Sequence, residues 1–258
     1  MSFIILLVSC DAEDKYVDIP LQDKSGKIVI EGNVTDEDGP YEIKVSRSIN
    51  AMSNTDNYPV VSNAKVTLND NHGQTEELVY DSADKVYKTQ NFHTSPGDTY
   101  TLTVTVDGVS YKATSTMPEF VQLDSLEQET MKILGEDIIM VVPTFTDPST
   151  PGNKYVFKSQ TGRLRPIEYE VVSDQSKNGE TISAPIMSNY KLKKNDTVLV
   201  ELQSVDQPIY NYFKVLPNSS AENNPGDIIP SNPPSNISNG ALGYFSAHTS
   251  STQFIIIN

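Results

Sequence analysis

The stretch YTLTVTVDGVSYKA, Tyr100 to Ala113, decides the fold. Tyr100, Leu102, Val104 and Val106 alternate with Thr101, Thr103 and Thr105, the period of a strand with one face in a core and the other in water. Asp107-Gly108 interrupts the pattern, which resumes at Val109, Tyr111 and Ala113. A tight hairpin needs two turn residues that tolerate positive φ, and Asp-Gly is such a pair.

The same period of two runs outward from Lys27 to Met117. Tyr41, Ile43 and Val45 alternate with Glu42, Lys44 and Ser46, and Asn71-His72-Gly73 separates strand candidates around Val66 to Leu68 and Leu78 to Tyr80. Short strands at regular turn spacing predict an antiparallel, immunoglobulin-like sandwich over residues 27–118. Further candidates follow Pro118: Asp137 to Thr146, Lys154 to Lys158, Ile167 to Val172, Thr197 to Leu202 and Phe254 to Ile257. Pro143 would place its strand at an edge or a bulge. One amphipathic helix is predicted over 205–216, with Ser204 and Gln207 as a capping box and Ile209, Tyr212, Phe213 and Leu216 on one face. The fold class is therefore all-β, two antiparallel sandwich domains, with a second β-domain over 119–258. Residues 218–240, rich in Pro, Asn, Ser and Gly, lead straight into the apolar run ALGYFSA, which predicts an ordered loop pinned at both ends.

Composition excludes several functions. Nineteen Lys and Arg against 34 Asp and Glu give 258 residues a net charge of −15, which repels phosphate backbones and argues against nucleic-acid partners. One cysteine makes no intramolecular disulfide and no multi-thiolate zinc site. His72, His93 and His248 are isolated in sequence, and the G-x-S-x-G, P-loop and dinucleotide glycine patterns are absent. No segment nominates a carboxylate pair for glycoside hydrolysis. Thr35 to Gly39 (TDEDG) offers oxygen ligands without the spacing of a calcium loop and reads as a solvated turn. No catalytic, cofactor or metal residues are assigned. With no Trp, any stacking falls to the 13 tyrosines, of which Tyr212 and Tyr244 are expected to pack internally.

The N-terminus carries the one assignable site. Phe3 to Val8 is an apolar run far shorter than the ~20 residues of a membrane-spanning helix. Leu7-Val8-Ser9-Cys10 resembles the lipobox of bacterial lipoproteins, which implies cleavage before Cys10, lipid on its sulfur and an acyl group on its amino group. Residues 1–9 then form a signal remnant and 10–26 a lipidated tether, with a reach on the order of 50 to 60 Å when extended. Asp11-Ala12-Glu13-Asp14 resembles the signal that exports Bacteroidota lipoproteins to the cell surface.

A second resemblance covers nearly all of the mature chain. Pro233 to Phe245 (PPSNISNGALGYF) is similar to the closing signature of domain-of-unknown-function family 4249, and KIVIEGNVT, VSNAKVTLND, PGDTYTLTVTVDGVSYKATSTMP and DTVLVELQSVDQPIYNYFKVL agree in the same order. The region from Ser159 to Asn195 is shorter than the family pattern. The resemblance implies a Bacteroidota outer-membrane lipoprotein facing the cell exterior, often encoded beside a TonB-dependent transporter. The expected function is non-enzymatic: accessory ligand capture for such a transporter, anchored to the outer membrane through Cys10, with the ligand unassigned. A structural or adhesive envelope protein is the alternative. A surface hydrolase with a site between the domains is a third reading, which requires converging carboxylates or a histidine held by a carboxylate.

Overall fold

The computed structural model describes residues 26–50, 57–174, 177–218 and 232–258; the signal remnant 1–9, the lipidation site at Cys10, most of the tether and residues 219–231 of the expected ordered loop lie outside them. The first sandwich is built from β1 (Ile28–Thr35), β2 (Glu42–Arg47), β3 (Lys65–Asp70), β4 (Thr75–Glu77), β5 (Val79–Asp81), β6 (Val86–Lys88), β7 (Thr99–Val106) and β8 (Val109–Thr116). The quoted stretch forms the β7–β8 hairpin, with Asp107 at φ 49° and Gly108 at φ 80°. Its inward residues Tyr100, Leu102 and Val104 are buried with Ile30, Ile43, Val66 and Tyr87 in one core.

The second half contributes β9 (Leu123–Ile133), β10 (Glu136–Thr146), β11 (Lys154–Thr161), β12 (Glu168–Ser173), β13 (Thr181–Ser183), β14 (Thr197–Ser204), helix α1 (Gln207–Val215), a 3-10 turn over Leu216–Asn218, and β15 (Leu242–Ile256). Its core gathers Leu123, Phe145, Tyr155, Phe157, Val200 and Leu202. β10 lies centrally, in the order β13-β10-β9, and its register shifts between Thr144 and Phe145, one step past Pro143. Pro143 therefore sits beside a bulge rather than on an edge strand, and its carbonyl still accepts from Ala184 N–H at 3.0 Å.

The two halves are not separate sheets. One eight-stranded sheet runs β12-β11-β14-β15-β1-β2-β6-β5 through both, and β15 is its seam. Residues 242–248 of β15 pair in parallel with β1, and 249–256 pair antiparallel with β14. The expected division near residue 118 falls in the link from β8 to β9, while the first half of β15 crosses back into the first sandwich and buries Phe245 and Ala247 in its core. Gly243 permits the crossing. It sits at φ 89°, and a Cβ there would stand 2.0 Å from the Ile30 carbonyl oxygen.

Because each half of β15 has a strand partner on one edge, side chains complete the other. The Asn236 amide donates to the Phe245 carbonyl at 2.8 Å and accepts from its N–H at 3.0 Å. Ser115 Oγ accepts from Ala247 N–H at 2.9 Å, and Asp36 Oδ1 accepts from Ser250 N–H at 2.9 Å. The signature PPSNISNG thus works as a substitute strand: Ile237 bridges to Ala113, and Ser238 exchanges hydrogen bonds with Lys112.

Helix α1 starts later than the capping box predicts. Asp206 is its N-cap, accepting from Ile209 N–H at 3.1 Å, while Ser204 is still paired in β14. Asp and Ser cap about equally well, but a carboxylate adds charge at the positive helix end, and Ser204 is held in the strand. The other carboxylate oxygen of Asp206 accepts from Ser115 Oγ and Thr116 N–H, at 2.8 and 3.1 Å, so the cap also fastens the helix to the first sandwich. Ile209, Tyr212 and Phe213 are buried on the predicted face.

Candidate functional site

The outer face of the long sheet, where α1 stops covering it, carries a row of polar side chains at the seam. Strand register sets Lys158, Glu201 and Thr252 abreast on β11, β14 and β15. Lys158 Nζ lies 3.0 Å from Glu201 Oε2, and Gln203 Nε2 donates to Glu201 Oε1 at 2.7 Å. Farther along β15, His248 Nδ1 is 2.9 Å from the Ser246 hydroxyl, with Thr35 of β1 paired beside His248. Asn33 donates to the Tyr244 hydroxyl at 3.3 Å.

Aromatic rings from α1, β12 and β15 wall this row. Phe213 stacks on Tyr169 with centroids 4.7 Å apart and meets Tyr244 edge-on at 5.2 Å; Tyr212 packs on Tyr244 at 4.9 Å. Tyr169, Phe213 and Tyr244 line a cavity of about 170 Å³ bounded also by Asn33, Thr35, Lys158, Glu201, Gln203 and His248, with Tyr212 packed behind them. A second, larger hollow of about 530 Å³ opens on the other side of Tyr169, between Ile167 on β12's approach, Met187, Tyr190 and the Leu216-Pro217 turn. Only the larger falls in the usual size range of small-molecule pockets; the smaller has room for a compact polar group, about six water volumes.

Electrostatics make the smaller cavity close to neutral. Burial alone would raise the Glu201 carboxyl, but the Gln203 hydrogen bond and the Lys158 ammonium outweigh it and hold the group below the usual range, so it stays ionised beside its cation. Burial drives His248 down to about 4 against the pull of Glu201, which leaves a neutral imidazole. Burial likewise pushes Tyr169 up to about 12 and raises Tyr244, so both phenols remain donors. The result is a hydrogen-bonding, aromatic-sided cavity suited to an uncharged polar group. Glu201 is the one carboxylate lining it, and His248 holds a serine rather than a carboxylate. Neither arrangement that the hydrolase reading requires is present in this cavity.

The three histidines lie apart in the fold. His72 pairs with Asp98 at 2.7 Å on the first sandwich, His93 is exposed, and only His248 reaches the cavity. Thr35 to Gly39 turns out of β1, and Asp36 there caps β15 through Ser250. Among the described residues no group of three or more His, Cys, Asp or Glu is placed to hold a metal ion. Tyr212 and Tyr244 pack internally as expected, against each other, yet Tyr244 also faces the cavity. Nothing in the sequence marks Lys158, Glu201 and Gln203 as a site; their signal is the outward period-two position on β11 and β14, which any solvated strand shares.

A family model described as a domain of unknown function, DUF4249, matches residues 14–253. No curated protein matches the chain. Among solved structures, the alpha chain of the chicken interferon gamma receptor is similar at 10% identity over 70% of this chain and 88% of its own, with a TM-score of 0.19.

Proposed function

We propose, from the premise that the chain belongs to the family of the domain of unknown function DUF4249, that it is a non-enzymatic, lipid-anchored protein of the outer-membrane surface that captures a ligand for a TonB-dependent transporter. The location rests on the lipobox resemblance at Leu7 to Cys10 and on the acidic stretch behind it. One structural observation carries the capture reading: a neutral, aromatic-walled cavity sits on the sheet that both sandwiches share, next to a larger hollow beyond Tyr169. A rigid continuous sheet fixes the positions of Lys158, Glu201 and His248 without help from a loop. A tether of the length from Cys10 to Gly26 would hold that cavity near a pore at high effective concentration.

The anchor is tested by Cys10→Ala. Acyl labelling and membrane fractionation should show a labelled, membrane-bound wild type and an unlabelled, released variant. Equal membrane association of the two would overturn the anchor.

A further inference from the structure

We propose that the far end of the second sandwich docks on an anionic lipid surface. Of the twelve large apolar side chains exposed among the described residues, Met131, Leu134, Leu164, Leu199, Phe254 and Ile256 sit on the β9–β10 hairpin, the β11–β12 loop and the paired ends of β14 and β15. Leu134 and Leu164 are 101% and 99% exposed, at the tips of the β9–β10 hairpin and the β11–β12 loop. Leu199, Phe254 and Ile256 continue the apolar surface on the adjoining outer face of the sheet.

The end carries a small excess of positive charge on a chain whose net charge is −15: segments 131–137, 162–168 and 187–196 hold six Lys and Arg against Glu136, Asp137, Glu168 and Asp196. Arg163 and Arg165 flank Leu164, Lys132 precedes the hairpin tip, and Lys191, Lys193 and Lys194 stand on the neighbouring loop. Contacts hold the three segments together: Lys191 Nζ is 2.8 Å from Glu136 Oε2, and the Arg165 guanidinium lies 4.7 Å from the Tyr190 ring. Arg163, Lys193 and Lys194 are exposed and make no ion pair among the described residues. Lys132 pairs with Asp137 at 3.4 Å, which leaves Arg163 beside the Leu164 tip and Lys193 and Lys194 on the neighbouring loop as the unpaired cations. Isolated apolar tips beside unpaired cations suit a bilayer, which moulds to any spacing and supplies anionic headgroups, better than one shaped protein pocket.

Leu134 adds an independent sign. It occupies the first position of a two-residue turn at φ 51°, with Gly135 at φ 88°, where the backbone favours Asn, Asp or Gly. Neither packing nor backbone preference calls for leucine there. Geometry permits the contact from an anchored chain as well. The fourteen steps of β15 from Leu242, beside Val29, to Ile256 span roughly 46 Å at ~3.3 Å per residue. The tether's extended reach, on the order of 50 to 60 Å, exceeds that. The docking surface itself does not depend on lipid at Cys10.

The test is co-sedimentation of the full chain carrying Cys10→Ala with phosphatidylcholine vesicles, with and without phosphatidylglycerol. Binding should require phosphatidylglycerol and weaken with added salt. Leu134→Asp with Leu164→Asp should weaken it about tenfold or more, while Val79→Asp on the first sandwich leaves it intact. Leu134→Asn should lower binding yet raise the unfolding temperature by relieving the turn, which separates docking from folding. Absence of binding to anionic vesicles, binding that survives both Leu→Asp changes, or self-association through this end on sedimentation would overturn the proposal.

Discussion

Asn236 exchanges two hydrogen bonds with the backbone of Phe245, one to its carbonyl and one from its N–H, and so replaces the strand that β15 lacks on that edge. Asn236→Ala would strand both backbone groups beside a fully buried phenylalanine. The expected loss is about 2–4 kcal/mol, read as a lower urea midpoint. Asn236→Asp, which keeps the acceptor and loses the donor, should fall between.

Gly243 and Gly108 both lie at positive φ, but only one is crowded. Gly243→Ala would drive a methyl into the Ile30 carbonyl and should cost about 3 kcal/mol or more, with loss of amide protection in both sandwiches. Gly108→Ala meets open space and should cost only about 1 kcal/mol. Equal effects of the two would mean that the β1–β15 seam is not tight.

Stability should fall on mild acidification. His248 has a folded pKa of about 4 against an ordinary 6.5, so between those values the unfolded chain binds the extra proton. The contribution is complete above pH 6.5 and is lost as the pH drops toward 4, about 3 kcal/mol in all. Glu201, lowered chiefly by Gln203 and Lys158 against its burial, works in the same direction over a more acidic range. Asp206, raised by burial, opposes both above pH 3.8. Urea titrations from about pH 7 to 4.5 should slope downward, and His248→Gln should flatten most of that slope.

Within the cavity, Lys158→Met removes the cation from a carboxylate whose side chain is only 20% exposed. The expected cost is about 1–2 kcal/mol, and adding Glu201→Gln should restore most of it. Purely additive effects of the two changes would show that the pair is not coupled.

The first sandwich is legible in the sequence because its strands keep clean alternation: Tyr100 to Val106 puts every second residue in one core and leaves the threonines at the surface. β15 is not. Its middle, Ser246 to Ser251, carries small and polar residues on both faces, since there the strand passes between two cores on one side and lines the cavity on the other. Its apolar ends, Tyr244-Phe245 and Phe254 to Ile257, therefore read as two strands. β9 escapes a sequence reading for a related reason, because most of its residues face solvent and show little apolar period. The site is unreadable because Lys158, Glu201 and His248 come from separate strands and meet only through the order β11-β14-β15. The Pro233 to Phe245 signature is visible, and its structural role, completing β8 and β15, accounts for residues whose chemistry suggests no reaction.

The proposed partnership stands or falls on purification of the tagged wild-type chain from detergent-solubilised outer membranes. A TonB-dependent transporter should be recovered with it in near-equal amount and be lost when Cys10→Ala releases the chain. Quantitative recovery of the anchored chain without any transporter would contradict that partnership.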